Sequence, residues 1–466
     1  MSHFNRRHFL RFGISATALC RLGALKAYAS VAPDYKALVC IFLNGGNDAH
    51  NTVVPIATSG GASGNQGFGA YAAVRPTSGI GFAQNQLLPI MVNKDVYGLH
   101  PNLQNISSLY ANQKVAILAN VGNITQQLTQ SLYAAHYANN DGTVPQALLS
   151  HGDQLVQWQT TYGNDFSTTG WAGRVADLYA ENGNPPTIPM NVATGSGGIF
   201  GTGLQTGATG LAAFNPNSGV SVAGINAVSQ LLSFDNGLQL VQASNKITAQ
   251  GINQHKLLAE AINSLDATTV NAIQNRFNGI SDDLGGQLRL VAQVIAASGL
   301  LGVQRQIFFV SQGGYDTHSA ERGVAGQDGV LSYLDNAVNA LYLLTTDLGV
   351  QNEVSTFTNS EFGRNLQPNT SLGTDHAWGA HHFIIGGAVN GGTMYGTFPT
   401  LQMYGPDDCW SNPSQGSGGV IIPTTSISQY GATLAKWFGV NPGNGDMVTV
   451  FPNLPNFLAN SFLGFL

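Results

Sequence analysis

Two hydrophobic patterns alternate along the chain. Short, continuous apolar runs cover Ala37 to Leu43, Val115 to Asn120, Arg305 to Val310, Val354 to Thr358 and His382 to Gly386. Such runs predict strands buried on both faces, as in a parallel sheet. Between them, apolar residues recur at three- and four-residue spacing over Leu103 to Asn112, Leu257 to Phe277, Gln287 to Leu301, Gly329 to Leu348 and Ile427 to Phe438. That spacing predicts helices. Strands alternating with helices give an α/β fold: a mostly parallel central sheet with helices on both faces. Asn182 to Val222 breaks the pattern with Gly, Thr, Asn and Pro and is read as an insertion or cap, at 182–250 in its widest bounds.

Composition sharpens this picture. Only 9% of the 466 residues are charged, 18 Lys and Arg against 24 Asp and Glu, so Asn, Gln, Ser, Thr and Gly must cover much of the surface. The net charge of −6 and the lack of a basic stripe argue against nucleic-acid binding. No run of 18 apolar residues is present, so no transmembrane segment is expected. Residues 1–29 read as an address. Arg6-Arg7 precede a weakly apolar run from Phe12 to Cys20, and Ala27-Tyr28-Ala29 offers a small-x-small cleavage site. They resemble a twin-arginine signal, with Asn5 where Ser or Thr is commoner. The expectation is export through the twin-arginine translocase to a periplasmic or extracellular location, leaving one domain at 30–466. Cleavage after Ala29 removes five cations and no acids, which leaves a net charge of −11. Cys40 and Cys409 then remain, and their pairing is open.

Candidate chemistry clusters just after the expected strands: Asp48; Asp316 and His318; Glu361; then Asp375 and His376, with His381 and His382 close behind. Carboxyl ends of parallel strands converge on one edge, so these residues can meet there. Carboxylates with imidazoles suit Zn, Mn or Fe, and carboxylates alone suit Mg or Ca. Four gathered acids would repel one another without a cation. Each has a structural alternative: Asp48 as a turn-holder, Asp316 as a helix cap, Glu361 as the local ion-pair partner of Arg364. Trp158, Trp171, Trp378 and Trp410 suit a sugar-bearing substrate or, more commonly, a core. The chain has no G-x-S-x-G elbow, phosphate loop or dinucleotide fingerprint.

At Ile41-Phe42-Leu43-Asn44-Gly45-Gly46-Asn47-Asp48, Gly98-Leu99-His100-Pro101, Gly313-Gly314-Tyr315-Asp316-Thr317-His318, Ser360-Glu361-Phe362-Gly363-Arg364 and Gly373-Thr374-Asp375-His376, the chain resembles the secreted bacterial family called domain of unknown function 1501. That family is similar to the alkaline phosphatase and sulfatase superfamily. The resemblance implies an alkaline phosphatase-like sheet and one or two divalent ions (Zn, Mn, Fe or Ca). It places Asp48 and Glu361 at one ion and Asp316, His318 and His376 at another, with Asp375 and His381 as further ligands. The implied activity is hydrolysis of a phosphate or sulfate ester, with a small-molecule or sugar ester as substrate. Ser150-His151 lies where the family shows a Ser-His pair opening a helix, which makes them the candidate catalytic residues. Two departures stand out: Glu361-Phe362 where the superfamily commonly has Asp-His, and Ala377-Trp378 after Asp375-His376 where the family has Gly. They leave open a non-catalytic binding or assembly protein that retains the fold, in keeping with the secreted helical partner protein often found beside family members. A metal-free serine esterase using Ser150 is the third reading.

Overall fold

The computed structural model describes residues 31–32, 34–57, 67–163, 167–181, 188–195, 197–211, 232 and 237–466. The signal at 1–29 and parts of the 182–250 stretch lie outside the described residues. Among the described residues a nine-stranded sheet forms the centre. Its strands are β1 (Lys36–Leu43), β5 (Val115–Gly122), β6 (Asn191–Ala193), β7 (Thr209–Gly210), β8 (Arg305–Gln312), β9 (Val354–Ser360), β12 (Ala380–Gly386), β13 (Thr393–Tyr395) and β14 (Thr425–Ser426). The order across the sheet is β13-β5-β12-β9-β1-β8-β6-β7, and β14 adds to β5. Neighbours pair in parallel except β12, which runs antiparallel to both β5 and β9. The described part of the 182–250 stretch includes β6 and β7, which extend the sheet beside β8. A three-stranded sheet, β2 (Val53–Ala57), β4 (Asp95–Leu99) and β3 (Leu88–Val92), and a hairpin of β10 (Arg364–Pro368) with β11 (Thr374–His376) lie outside it.

Strand β1 shows why the sheet is covered on both sides. Ala37, Val39, Ile41 and Leu43 point into one core, with Ile106, Leu288, Val291, Leu334 and Leu341 from the helices Gln104–Ala111, Asp283–Ala296 and Gln327–Asp347. Leu38, Cys40 and Phe42 point into the other, with Val175, Ile427, Tyr430 and Leu434 from Trp171–Glu181 and Ile427–Phe438. Alternation along a strand sends successive side chains to opposite faces, so a run with no polar member needs helices on both. Each Leu, Ile or Val buried this way stabilises the fold by about 1.5–3 kcal/mol.

The helical stretch expected over Leu257 to Phe277 is two helices, Gln239–Asn263 and Ala267–Arg276. Asp266 ends the continuity by accepting the Thr269 N–H at 3.0 Å, so its side chain starts a new helix. Asp282 likewise caps the helix Asp283–Ala296. Cys40 and Cys409 are both buried and free. Trp158, Trp171 and Trp378 are core residues, and of the four tryptophans singled out only Trp410 is partly exposed. Among the described residues no helix is long and apolar enough to cross a membrane.

Candidate metal centre

The register brings the chemistry together. Leu43 pairs with Gln312 on one side and Ser360 on the other, so β1, β8 and β9 end level. The loops after them, carrying Asp48, Asp316 with His318, and Glu361, leave the sheet side by side. Because β12 is antiparallel, its amino end lies at this same edge, with Ala380 beside Val121. The preceding hairpin strand β11 adds Asp375 and His376. The helix His151–Thr160 supplies His151 from its first turn.

Three imidazoles and one carboxylate face one another there. His151, Asp316 and His376 place one ligand atom each within 4.8 Å of the others. His318 Nε2 lies 2.9 Å from His376 Nε2 and 3.2 Å from Asp316 Oδ1. His376 Nε2 is 3.4 Å from Asp316 Oδ1, and His151 Nε2 is 3.6 Å from Asp316 Oδ2. The opposite ring nitrogens settle the protonation pattern. His376 Nδ1 meets the Leu149 carbonyl at 2.6 Å, an acceptor, so it carries the proton and leaves Nε2 with a lone pair. His318 Nδ1 meets Asp375 Oδ1 at 3.1 Å, and His151 Nδ1 meets Glu361 Oε1 at 3.1 Å. In neutral form, all three rings aim Nε2 lone pairs toward an ionised carboxylate. A convergence of acceptors is unfavourable unless a cation, a metal or a proton, sits among them.

Arg364 holds the carboxylate. Its fully buried guanidinium donates to Asp316 Oδ1 and to the carbonyls of Gly45, Gly46, Tyr315 and Thr374, which ties three loops together. Burial acts to raise the Asp316 pKa, but the hydrogen bond and charge of Arg364, with His318 and His151, outweigh it and hold the carboxyl below its usual range. Asp375 is also lowered: its burial is outweighed by Asn369 and His318. Burial pushes Glu361 up and His376 down. The alternative of a Glu361–Arg364 ion pair is not what forms. Glu361 turns to His151 and accepts the Gly45 N–H, while Arg364 turns to Asp316.

Close packing of the loops requires glycine at 45. Its φ is +112°, and a Cβ there would lie 2.2 Å from the Asp316 backbone nitrogen. Gly45→Ala is therefore expected to push the Asp316 loop away, lowering thermal stability and any metal content together. A variant with wild-type values of both would refute that packing argument.

The other candidates sit elsewhere. Asp48 is wholly buried against Arg75, its backbone N–H meets Gln327 Oε1 at 3.0 Å, and Oδ1 caps the short helix Ala49–Thr52. Glu321, also buried, lies beside this pair and accepts from Asn51 and Thr374 at 2.9 and 2.8 Å. Burial and the neighbouring Asp48 push the Glu321 carboxyl well above its usual range. His381 is buried, with Nδ1 accepting the Asn120 N–H at 3.0 Å. Its ring stands edge-on to His50, 6.4 Å between centroids. Ser150 caps the helix, and its hydroxyl donates to Asp153 at 2.6 Å. Sequence reasoning missed the Leu149 carbonyl and the roles of Arg75, Glu321 and Gln327, since a backbone acceptor and isolated polar residues carry no motif.

The family's sequence profile, described as "Protein of unknown function (DUF1501)", matches residues 35–412, most of the chain and every loop of this edge. The chain belongs to the DUF1501 family. The cluster is therefore assembled within the matched region of a DUF1501 protein. No curated protein matches the chain. Among solved structures it is similar to Ps i-CgsB, alone and in complex with k-i-k-neocarrahexaose. Both have a TM-score of 0.32 and 9% identity, over 92% of this chain and 77% of that one. That likeness is too slight to bear on fold or function.

Proposed function

We propose that this DUF1501 protein is an exported, metal-dependent hydrolase of a phosphate or sulfate ester, in keeping with a resemblance to the alkaline phosphatase and sulfatase superfamily. The observation that supports it most is the convergence of the His151, His318 and His376 Nε2 atoms on Asp316, each ring fixed from behind by an oxygen acceptor. His151, Asp316 and His376 would hold the ion, with His318 beside Asp316 and His376; nitrogens with an oxygen suit Zn, Mn or Fe better than Ca. When bound, a divalent ion supplies positive charge against the ester oxygens. The chain's own part is orientation: Asp375, Glu361 and the Leu149 carbonyl keep the Nδ1 protons away from the centre. Arg364 keeps Asp316 ionised and pointed inward.

Metal analysis of the mature protein, purified without chelator, tests this. About one equivalent of Zn, Mn or Fe is expected, falling more than tenfold in Asp316→Ala and His376→Ala, as loss of a ligand would require. An active preparation would then hydrolyse aryl phosphates or sulfates in a chelator-sensitive way. A cooperatively folding wild type that takes up no divalent ion would end the hydrolase reading. A second reading, an exported binding or assembly protein that keeps the fold, draws support from Ser150, whose hydroxyl is engaged with Asp153. On that reading metal binds and no ester is turned over.

A further inference from the structure

Next to the cluster lies a cleft of about 620 Å³ that this chemistry leaves unused. Tyr133, Tyr137, Trp410, Asn140, Gln146 and Leu149 are among its lining residues. It adjoins the candidate centre through Leu149, whose carbonyl orients His376 and which stands two residues before His151. Its volume falls within the range of small-ligand sites.

Three rings build its wall. Tyr133 stacks on Tyr137 with centroids 5.5 Å apart, and Trp410 meets both edge-on at 5.7 and 5.6 Å. Tyr133 is buried and packs against the core residue Trp378, while Tyr137 is 56% exposed. Trp410 is pinned through its backbone: its N–H donates to Asp408 Oδ1 at 3.1 Å and its carbonyl accepts from Gln130 at 3.0 Å. Held aromatic surface left in water usually marks a binding site, and rings fixed in advance lose little entropy on binding. Among the described residues no Lys or Arg lines the cleft, and the one imidazole there, His136, is paired with Asp141 at 2.6 Å. The lining therefore offers an apolar ring face with amide groups beside it, and little to attract an anion.

We propose that this cleft holds a pyranose ring of the substrate, so that the ester hydrolysed is a phosphate or sulfate carried on a saccharide. The substrate assignment rests on the hydrolase reading above. Sugar C–H faces are weakly positive and stack on the negative face of an aromatic ring, and hydroxyls pair with amides. The anionic ester group then goes to the cationic centre and the neutral polyhydroxyl body to the Tyr137–Trp410 wall.

The test is an array of immobilised neutral, sulfated and phosphorylated pyranose oligosaccharides, probed with wild type, Tyr137→Ala, Trp410→Leu and Trp410→Phe. Binding is expected for wild type, weakened about tenfold in Tyr137→Ala and Trp410→Leu and largely kept in Trp410→Phe, the scale of one lost aromatic contact. Tyr137→Ala, at an exposed position, should retain its fold and its metal. Absence of binding to every glycan, or binding by Tyr137→Ala and Trp410→Leu equal to that of wild type, would overturn the cleft assignment while leaving the metal result untouched. Saccharide binding that depends on Tyr137 in a protein that takes up no metal would instead keep the cleft and end the hydrolase.

Discussion

Arg75→Ala is expected to be among the most destabilising single substitutions in this protein. Arg75 and Asp48 are both fully buried and joined by an ion pair. The same guanidinium donates to the carbonyls of Leu366 and Asn365 at 2.8 Å each. Burial would raise the Asp48 pKa, but Arg75, aided by Glu321, holds the carboxyl well below its usual range. Removing the arginine leaves an uncompensated carboxylate in the core, which costs about 3–5 kcal/mol, with two unpartnered carbonyls besides. Since folded proteins are stable by only about 5–15 kcal/mol, such a loss consumes much of the margin. Urea unfolding of Arg75→Ala measures it, and a change below about 1 kcal/mol would contradict the argument. Asp48→Asn combined with Arg75→Met should recover part of the loss, because no charge is then stranded. The pH response carries a sign. A depressed carboxyl contributes stability above its unfolded pKa that is lost as pH falls. In Arg75→Ala the Asp48 carboxyl is raised instead, so the gap from wild type should narrow on acidification.

Mild acid is expected to act on wild type through histidines. His50, His381 and His382 are fully buried, and burial pulls their pKa values down to about 3, about 4 and about 3. Both ring nitrogens of His50, and Nε2 of His381 and of His382, have no hydrogen-bond partner among the described residues. In the unfolded chain these rings take up protons near pH 6.5, but in the fold they do so only far lower. Their contribution is therefore complete above about pH 6.5 and is lost as pH falls toward about 4, because the unfolded state binds more protons there. Each ring contributes about 1.4 kcal/mol per pH unit in that window, and three together about 4 kcal/mol. Glu321, Asp335, Glu361 and Asp408, raised by burial, act the other way and lose stability as pH rises, while His100 and His376, lowered by burial, add to the histidine side. Unfolding at pH 7.5, 6.5 and 5.5 should show a steep loss between the last two. His382→Gln, at a ring packed between Trp158 and Tyr430, should reduce the slope by about 1 kcal/mol per pH unit. A flat profile, or a slope unchanged in that variant, would refute the assignment.

Much of the architecture was legible in the chain because the signals involved are local. Continuous apolar runs marked β1, β5, β8, β9 and β12, and three-to-four-residue spacing marked the helices that cover them. The direction of β12 was not legible, since antiparallel placement depends on the hairpin that precedes it. The break at Asp266 was missed because apolar periodicity continues across it, while the cap depends on one side chain. The short strands β13 and β14 escaped notice because two or three residues carry no period.

For the site, the residues themselves determined which loops hold chemistry: carboxylates and imidazoles right after apolar strands, on a sheet whose parallel strands must end together. Which of them meet was decided only by the tertiary structure. His151 joins Asp316 and His376, with His318 against both of the latter, while His381, closer in sequence to His376, is buried against Asn120 and His50. Asp48 leaves the sheet beside these loops yet turns to Arg75, a partner no motif announces. The physical reason is that spacing along a strand or helix fixes where a backbone ends, whereas the direction of a side chain depends on the donors, acceptors and charges that other segments bring to it.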